Sequence, residues 1–335
     1  MNKALQCYAL EYTTLYRYCH PLNTNSLQKS EVVFVEVSAA QVNQRLDNFL
    51  LKTLKNVPKS RIYRIIRKGE VRVNKKRCKP DYKLVMGDLV RVPPLRLEPV
   101  DDAKIYIPPD RMRNLEKAIL YENKHLLIID KPPGLAVHSG TGISFGVIDI
   151  MRRLRPDTEI ELVHRLDRDT SGCLLLAKHR QSLLKMQACM QNNSLKKTYL
   201  AVVKGRWPQD KRELIHALKK TTLPNGERRV FVDAAGQKAL TRIIQVDAGD
   251  EFSLLTIQIL TGRTHQIRVH CQFEGHEIAG DSKYGDEKFN KLMKKRGAGR
   301  LMLHASRLEL PDTDFSPEIV INADPPAAFE NLAKA

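Results

Sequence analysis

Positive charge is concentrated in one short segment of this chain, and the same segment has a regular apolar pattern. Between Val37 and Leu95 there are 15 Lys and Arg against 4 Asp and Glu, a net charge of +11, whereas the whole 335-residue chain carries +18. Concentrated basic charge is typical of nucleic-acid binding, because each Lys or Arg that neutralises a phosphate releases a counterion. The competing interpretation is a solvated surface. Charge that is nearly unopposed favours RNA binding.

The basic segment predicts two helices followed by two strands. Apolar residues recur at helical spacing from Leu46 to Leu54, and a second helix is predicted to begin at Ser60 as its N-cap and to end at Gly69. Short strands are predicted over Val71–Asn74 and Leu89–Val92. Basic side chains lie largely off the apolar face or in the connection after it, and we predict that the following residues bind RNA: Lys59, Arg61, Arg64, Arg67, Lys68, Lys75, Lys76 and Arg77.

The pattern along the rest of the chain predicts a second, larger domain. We expect an N-terminal extension over 1–34 that is disordered, a small α/β domain over 35–95, a Pro-rich and Asp-rich linker over 96–113, and a large domain over 114–335. Strand patterns dominate the large domain, and a helical pattern over 181–191 is interspersed among them. The predicted fold class is therefore α+β, with a mixed sheet and peripheral helices.

The densest polar motif is His164-Arg165-Leu166-Asp167-Arg168-Asp169-Thr170-Ser171-Gly172, directly before an apolar strand. A polar loop held at the edge of a rigid sheet is a common place for an active site. Guanidinium groups on both sides would keep an aspartate ionised, as a nucleophile or a base requires. A charged turn with local ion pairs is the competing interpretation, and the residues alone leave both open.

A second cluster, Gly262-Arg263-Thr264-His265-Gln266-Ile267-Arg268-Val269-His270, follows a predicted strand. Thr261 or Thr264 would cap a helix that begins there. Two arginines and two histidines at such a junction suit an anion, although a basic helix surface would have the same composition.

We predict no metal site, because neither this cluster nor the six scattered cysteines have the spacing of metal ligands. The few cysteines point to a reducing, cytoplasmic location. The chain has no run of 18 apolar residues, so we predict no transmembrane helix.

Two further segments carry weaker signals. Lys131-Pro132-Pro133-Gly134 predicts a rigid turn after a buried strand, with His138 close behind it. A purely structural turn is the simpler interpretation. Lys196-Lys197-Thr198-Tyr199 begins a strand. Its tyrosine would ordinarily be a core residue, but beside an active site it could stack on a base.

Together these motifs resemble the RluA-like pseudouridine synthases. The resemblance runs from about Val35 to the C-terminus and includes all four motifs in the order of that family. The basic segment is similar to an S4 RNA-binding domain. The resemblance implies a catalytic domain with a mixed, mainly antiparallel sheet, and an isomerase that converts uridine to pseudouridine. Within the family, the chain is most similar to a type that modifies several uridines of 23S ribosomal RNA.

The resemblance also implies roles for individual residues. Asp167 matches the essential aspartate, and Arg268 matches the arginine that pairs with it. Tyr199 matches the tyrosine that stacks on the target base. Arg165 matches an arginine that fills the place of a flipped-out base, and His164, beside it, is assigned to the same RNA contact. Neither a metal nor a cofactor is implied.

Two other functions are compatible with the same residues. A sibling synthase that acts on tRNA or on another ribosomal RNA site would have identical motifs. A non-catalytic RNA-binding protein of ribosome assembly would have the same basic domain, but it would leave Asp167, Tyr199 and Arg268 without a purpose. We expect a monomer that binds 23S ribosomal RNA and has no membrane partner.

Overall fold

The structure is a computed structural model, and it describes residues 32–54, 57, 59–95, 106–140 and 143–333. The chain divides into two compact units, Met1–Ala103 and Lys104–Ala335, and each has its own apolar core. Nearly all of the predicted N-terminal extension lies outside the described residues, as does more than half of the predicted linker. None of the helices within the described ranges has the length and apolar character needed to cross a bilayer.

The smaller unit is a three-stranded antiparallel sheet packed with two helices. Its helices are α1 (Leu46–Thr53) and α2 (Lys59–Arg67), and its strands, in the order β1-β3-β2, are β1 (Val33–Glu36), β2 (Arg72–Val73) and β3 (Leu89–Val92). The isoleucines of α2 are buried on one face, as their spacing predicts, and the basic residues lie off that face.

Several local predictions for the smaller unit need correction. Helix α2 begins at Lys59, so Ser60 lies inside it and is not its N-cap. Strand β1 was not predicted, and it begins two residues before the expected start of the domain because Val33 pairs with Val92. Gly69 does follow the helix in a left-handed conformation, with φ of +71°.

The larger unit is built on a ten-stranded sheet. Eight strands follow the order β4-β5-β7-β14-β8-β13-β12-β9, while β6 pairs with β7 and β15 pairs with β14. All of the pairings are antiparallel except that of β7 with β14, which confirms the predicted mixed, mainly antiparallel sheet. The strands are β4 (Ile119–Glu122), β5 (Leu126–Lys131), β6 (Glu161–Leu162), β7 (Ser171–Ala177), β8 (Lys196–Lys204), β9 (Glu213–Ile215), β12 (Leu240–Ala248), β13 (Phe252–Ile259), β14 (Leu303–Leu310) and β15 (Ile319–Asn322).

Within the described residues of this unit, a separate hairpin and six helices lie around the sheet. The hairpin consists of β10 (Leu218–Thr222) and β11 (Arg228–Val232). The helices are α3 (Pro109–Lys117), α4 (Val147–Leu154), α5 (Arg180–Gln191), α6 (Gln266–Phe273), α7 (Glu287–Lys295) and α8 (Ala327–Ala333). Helix α3 begins inside the segment predicted as a linker. Proline is favourable in the first turn of a helix, so the proline there marks a helix start and not a loop.

The middle of the sheet brings the predicted motifs together. Strands β7, β14, β8 and β13 are neighbours. The loop before β7 carries Asp167, β8 carries Tyr199, and α6, which follows β13, carries Arg268. Residues that are 101 positions apart in the chain are thereby brought into hydrogen-bonding distance.

Candidate active site

The loop that carries Asp167 is fixed at its end by a close backbone approach. Gly172 has φ of +105°, and a Cβ atom at this position would lie 2.3 Å from the carbonyl oxygen of Ala305. This is where β7 and β14 run parallel, with Gly172 opposite Ala305. Only glycine fits both the dihedral angle and the contact, so the motif must end in glycine for Asp167 to be held beside the sheet.

Asp167 is paired with Arg268, as the family resemblance implies. Arg268 Nη1 donates to Asp167 Oδ2 at 3.0 Å. The side chain of Arg268 is 8% exposed, whereas that of Asp167 is 25% exposed. The guanidinium is therefore a buried support, and the carboxylate it orients is open to a ligand.

A second carboxylate, Asp281, holds the other side of Arg268 and was missed by the sequence analysis. Arg268 Nε and Nη2 donate to the two oxygens of Asp281 at 2.7 and 2.8 Å. Backbone N–H groups of Lys283 and Tyr284 also donate to Asp281, each at 2.9 Å. Burial alone would raise the pKa of Asp281, but the hydrogen bonds and charge of Arg268 outweigh it and hold that pKa below its usual value.

His265 reaches Asp167 from the start of α6. It is the N-cap of the helix in a left-handed conformation, with φ of 54°, so neither Thr261 nor Thr264 caps α6 as we predicted. Thr261 instead donates to the Gln266 side chain at 2.7 Å. His265 Nε2 lies 3.9 Å from Asp167 Oδ1.

The other ring nitrogen of His265 contacts Tyr284. Val230 N–H donates to the Tyr284 hydroxyl oxygen at 3.0 Å, and that hydroxyl lies 2.8 Å from His265 Nδ1. Tyr284 therefore fixes the orientation of the imidazole, and Nε2 is the ring nitrogen that faces Asp167. Burial lowers the pKa of His265, which favours the neutral ring.

A cleft of about 390 Å³ lies in front of Asp167, and Tyr199 forms part of its wall. Tyr199 is 5% exposed, and burial raises the pKa of its hydroxyl. The volume suits a ligand of the size of a nucleoside. The structure thus brings Asp167, Tyr199 and Arg268 together around one cleft.

The two residues predicted to contact RNA beside Asp167 differ sharply in exposure. Arg165 is exposed and lines the cleft. His164 is 8% exposed, and its Nε2 accepts a hydrogen bond from the Leu175 backbone N–H at 3.1 Å. Burial, and then the charge of Lys197, lower the pKa of His164 to about 3. This hydrogen bond anchors the loop to β7. His164 also lines the cleft, and its contact with RNA stays a prediction.

The Lys131 turn supports the catalytic loop directly. Lys131 is fully buried, and its Nζ donates to the carbonyl oxygens of Pro132, Leu135 and Arg168 at 2.8, 2.8 and 2.9 Å. Burial lowers the pKa of Lys131 to about 7. The third bond ties the turn to the loop of Asp167. His138, beyond the turn, lines the cleft.

The basic face of the smaller unit is a candidate nucleic-acid interface. The predicted RNA-binding residues are exposed, apart from a half-buried Arg61. Asn74 and Lys75 both have positive φ, of 48° and 68°, and Val73 pairs with Lys76 across them. This two-residue turn, in which both residues have positive φ, projects Lys75 and Lys76 into solvent.

Sequence comparisons agree with both units. Residues 125–273 match the family described as RNA pseudouridylate synthase, and residues 44–90 match the S4 domain. The chain is 47% identical over 297 residues to "Ribosomal large subunit pseudouridine synthase C" of Pasteurella multocida (strain Pm70), covering 88% of this chain and 91% of the relative. It is also 47% identical to the protein of that name from Escherichia coli (strain K12), covering 83% of this chain and 88% of the relative.

A solved structure has a similar fold. "Human RNA Pseudouridylate Synthase Domain Containing 1" is 26% identical with a TM-score of 0.52, and the match covers 66% of this chain and 87% of that one. Asp167, Tyr199 and Arg268 lie inside the range matched by the first family, whereas Asp281 lies beyond its end.

Proposed function

This chain belongs to the RNA pseudouridylate synthase family, and from that premise we propose that it isomerises several uridines of 23S ribosomal RNA to pseudouridine, with Asp167 as the catalytic carboxylate. The observation that carries the proposal is the open carboxylate of Asp167, held at 3.0 Å by the buried guanidinium of Arg268. The relatives named "Ribosomal large subunit pseudouridine synthase C" support the substrate.

The reaction requires the target base to leave the RNA stack, because its reacting atoms are otherwise inaccessible. Unstacking costs on the order of a few kcal/mol. Arg165 is exposed beside the cleft, where it can fill the vacated place in the stack. Tyr199 lines the cleft, where its ring can stack on the flipped base. These two contacts offset the energy of unstacking.

Asp167 then assists cleavage of the N1–C1′ bond, the base turns in the cleft, and a C5–C1′ bond forms. C5 releases its proton once it is bonded to C1′, and N1 gains a proton, so that the product is an isomer of the substrate. Three routes are chemically open to a carboxylate: attack on C1′, removal of a proton from the sugar, and addition to C6 of the base. All three need an ionised, oriented oxygen, which Arg268 helps to provide. The rearrangement is redox-neutral, and the proposal includes neither a metal nor a cofactor.

The proposal takes the chain to be a monomer that acts in the cytoplasm. The cysteines at positions 78, 173, 189 and 271, within the described residues, are free thiols, which supports a reducing compartment. The exposed basic residues of the S4 domain support RNA binding.

The test is to incubate unmodified 23S rRNA transcript with purified protein and to map pseudouridine by carbodiimide primer extension. We expect stops at several uridines with wild type and none with Asp167→Asn, although both bind RNA equally. Asp169→Asn is the matched control, because Asp169 is two residues away and pairs with the exposed Arg168. Unchanged pseudouridine formation by Asp167→Asn would refute the role of Asp167. Modification of tRNA but not of 23S rRNA would move the chain to a sibling type.

A further inference from the structure

Lys197 is a buried cation at the wall of the active-site cleft, and the proposed mechanism gives it no role. It is the second residue of β8 and is 7% exposed. Because side chains alternate along a strand, Lys197 lies on the same face as Tyr199, and both line the cleft. The preceding residue, Lys196, is exposed and pairs with Glu309 at 3.5 Å.

Lys197 has no partner within the part of the chain that the structure describes: no side chain there pairs with its ammonium group, and no oxygen accepts a hydrogen bond from it. The other buried lysine, Lys131, donates to three carbonyl oxygens. Asp167 is the one acidic residue among those described at the cleft wall, and it is already paired with Arg268. Lys197 Nζ is not among the described buried atoms that lack a partner, so the ammonium opens into the cleft that Lys197 lines. A cation on a largely buried side chain that opens into a cleft suits an anionic ligand.

The space in front of Lys197 is kept open. A Cβ atom added to Gly262 would lie 4.0 Å from Lys197 Nζ, and Gly262, which has no side chain, lines the same cleft. Gln266, Ile267 and Arg268, which form the first turn of α6, line the same cleft. The positive end of the helix dipole therefore adds to the charge of Lys197, and together they suit an anion.

We propose that Lys197 Nζ binds a non-bridging oxygen of the phosphate group next to the flipped uridine, while Tyr199 holds the base. This inference rests on the proposed function. Residues two apart on one face of a strand are separated by about 7 Å, which is comparable with the distance between a base and its own phosphate. A phosphate carries a full negative charge, and so it compensates a buried ammonium as a neutral uracil carbonyl cannot. Lys197 thus recognises the phosphate backbone at the target nucleotide, whereas Tyr199 recognises its base.

The experiment uses a fragment of 23S rRNA that wild type modifies, prepared with a single neutral methylphosphonate at either linkage flanking the target uridine. Single-turnover rates are measured against enzyme concentration, which separates the half-saturating concentration from the maximal rate. The variants are Lys197→Met, Lys197→Arg and the control Lys196→Met. Retention of the wild-type circular dichroism spectrum shows that each variant folds.

At one of the two linkages, we expect the neutral group to raise the half-saturating concentration of wild type by roughly 10- to 100-fold, the range for a hydrogen bond to a charged group. Lys197→Met should show the same increase with all-phosphate RNA and no further increase with the neutral linkage. Lys197→Arg, which keeps the charge, should remain sensitive to the linkage, and Lys196→Met should behave as wild type.

Two results would overturn the inference while leaving the proposed function intact. One is wild-type affinity in Lys197→Met. The other is that, at both linkages, the increases in half-saturating concentration caused by Lys197→Met and by the neutral linkage multiply. The lysine and the phosphate would then act independently of each other. A wild type that forms no pseudouridine in all-phosphate RNA is a separate result. It would remove the proposed function itself, and this inference with it.

Discussion

The unpartnered charge of Lys197 predicts a variant that is more stable and less active. Burial lowers the pKa of Lys197 from its ordinary 10.5 to about 8. Each unit of pKa corresponds to about 1.4 kcal/mol, so keeping this ammonium charged in the folded protein costs about 3 kcal/mol. Methionine has a similar length and no charge. We therefore expect Lys197→Met to increase the free energy of unfolding by up to about 3 kcal/mol at pH 7.

The pH dependence of this gain has a definite sign. Below pH 8 the lysine is protonated in both folded and unfolded states, and the full cost applies. As pH rises from the folded pKa of about 8 towards the unfolded value of 10.5, the folded state loses its proton first and the cost falls. The advantage of Lys197→Met should therefore fall to about 1.4 kcal/mol at pH 9.5 and disappear above pH ~10.5.

The chain provides its own probe for this measurement. It has one tryptophan, Trp207, which is fully buried in the larger unit. Its fluorescence during urea unfolding therefore reports on the unit that contains Lys197. Lys196→Met is the matched control and should leave stability within about 0.5 kcal/mol of wild type.

The result that would refute the reasoning is a Lys197→Met variant that is less stable than wild type at pH 7. An increase that is the same at pH 7 and pH 9.5 would also refute it, because the gain would then come from packing and not from removal of a charge.

Three further predictions concern other parts of the molecule. Asp281→Asn should lower the free energy of unfolding by about 3 kcal/mol in urea and slow single-turnover isomerisation by about 10- to 100-fold at unchanged RNA affinity. The reason is that Arg268 loses its buried carboxylate partner. Wild-type rates would exclude a positioning role for Asp281. Gly172→Ala should lower stability by about 2–4 kcal/mol, since both the positive φ and the contact with β14 oppose a Cβ atom; an unchanged urea midpoint would contradict this. An S4-domain variant with alanine at Arg64, Arg67 and Lys68 should bind RNA with a weaker salt dependence. In filter binding, the slope of the logarithm of the binding constant against the logarithm of salt concentration should fall by about one unit per lost phosphate contact. An unchanged slope would mean that this face is only solvated surface.

Much of the site could be predicted because its residues lie in compact motifs. The loop of Asp167, the strand of Tyr199 and the cluster of Arg268 each combine unusual residue types within a few positions. The mixed sheet also followed from strand patterns and from the family resemblance. The roles of these residues in the reaction remain predictions that the proposed experiments test.

The residues that were missed have no local signal. Asp281 does not belong to any of the motifs that the sequence shows. Its interaction with Arg268 depends on the position of α6 in the fold. Lys197 looked like one of two adjacent basic residues, and only the register of β8 shows that one is buried and the other exposed. Likewise, no pattern in the sequence indicates that His164 accepts a hydrogen bond from the backbone of β7.

The pairing of one guanidinium with two carboxylates has an electrostatic consequence. Arg268 alone with Asp167 would form a neutral pair, and such a pair would present no net charge to a substrate. The side chain of Asp281 is 1% exposed, and its carboxylate balances the positive charge of the Arg268 guanidinium from the buried side. The three groups together carry −1, and the part of that charge open to the cleft lies on Asp167. Positive character that develops on the sugar as the N1–C1′ bond is cleaved therefore faces the negative carboxylate of Asp167.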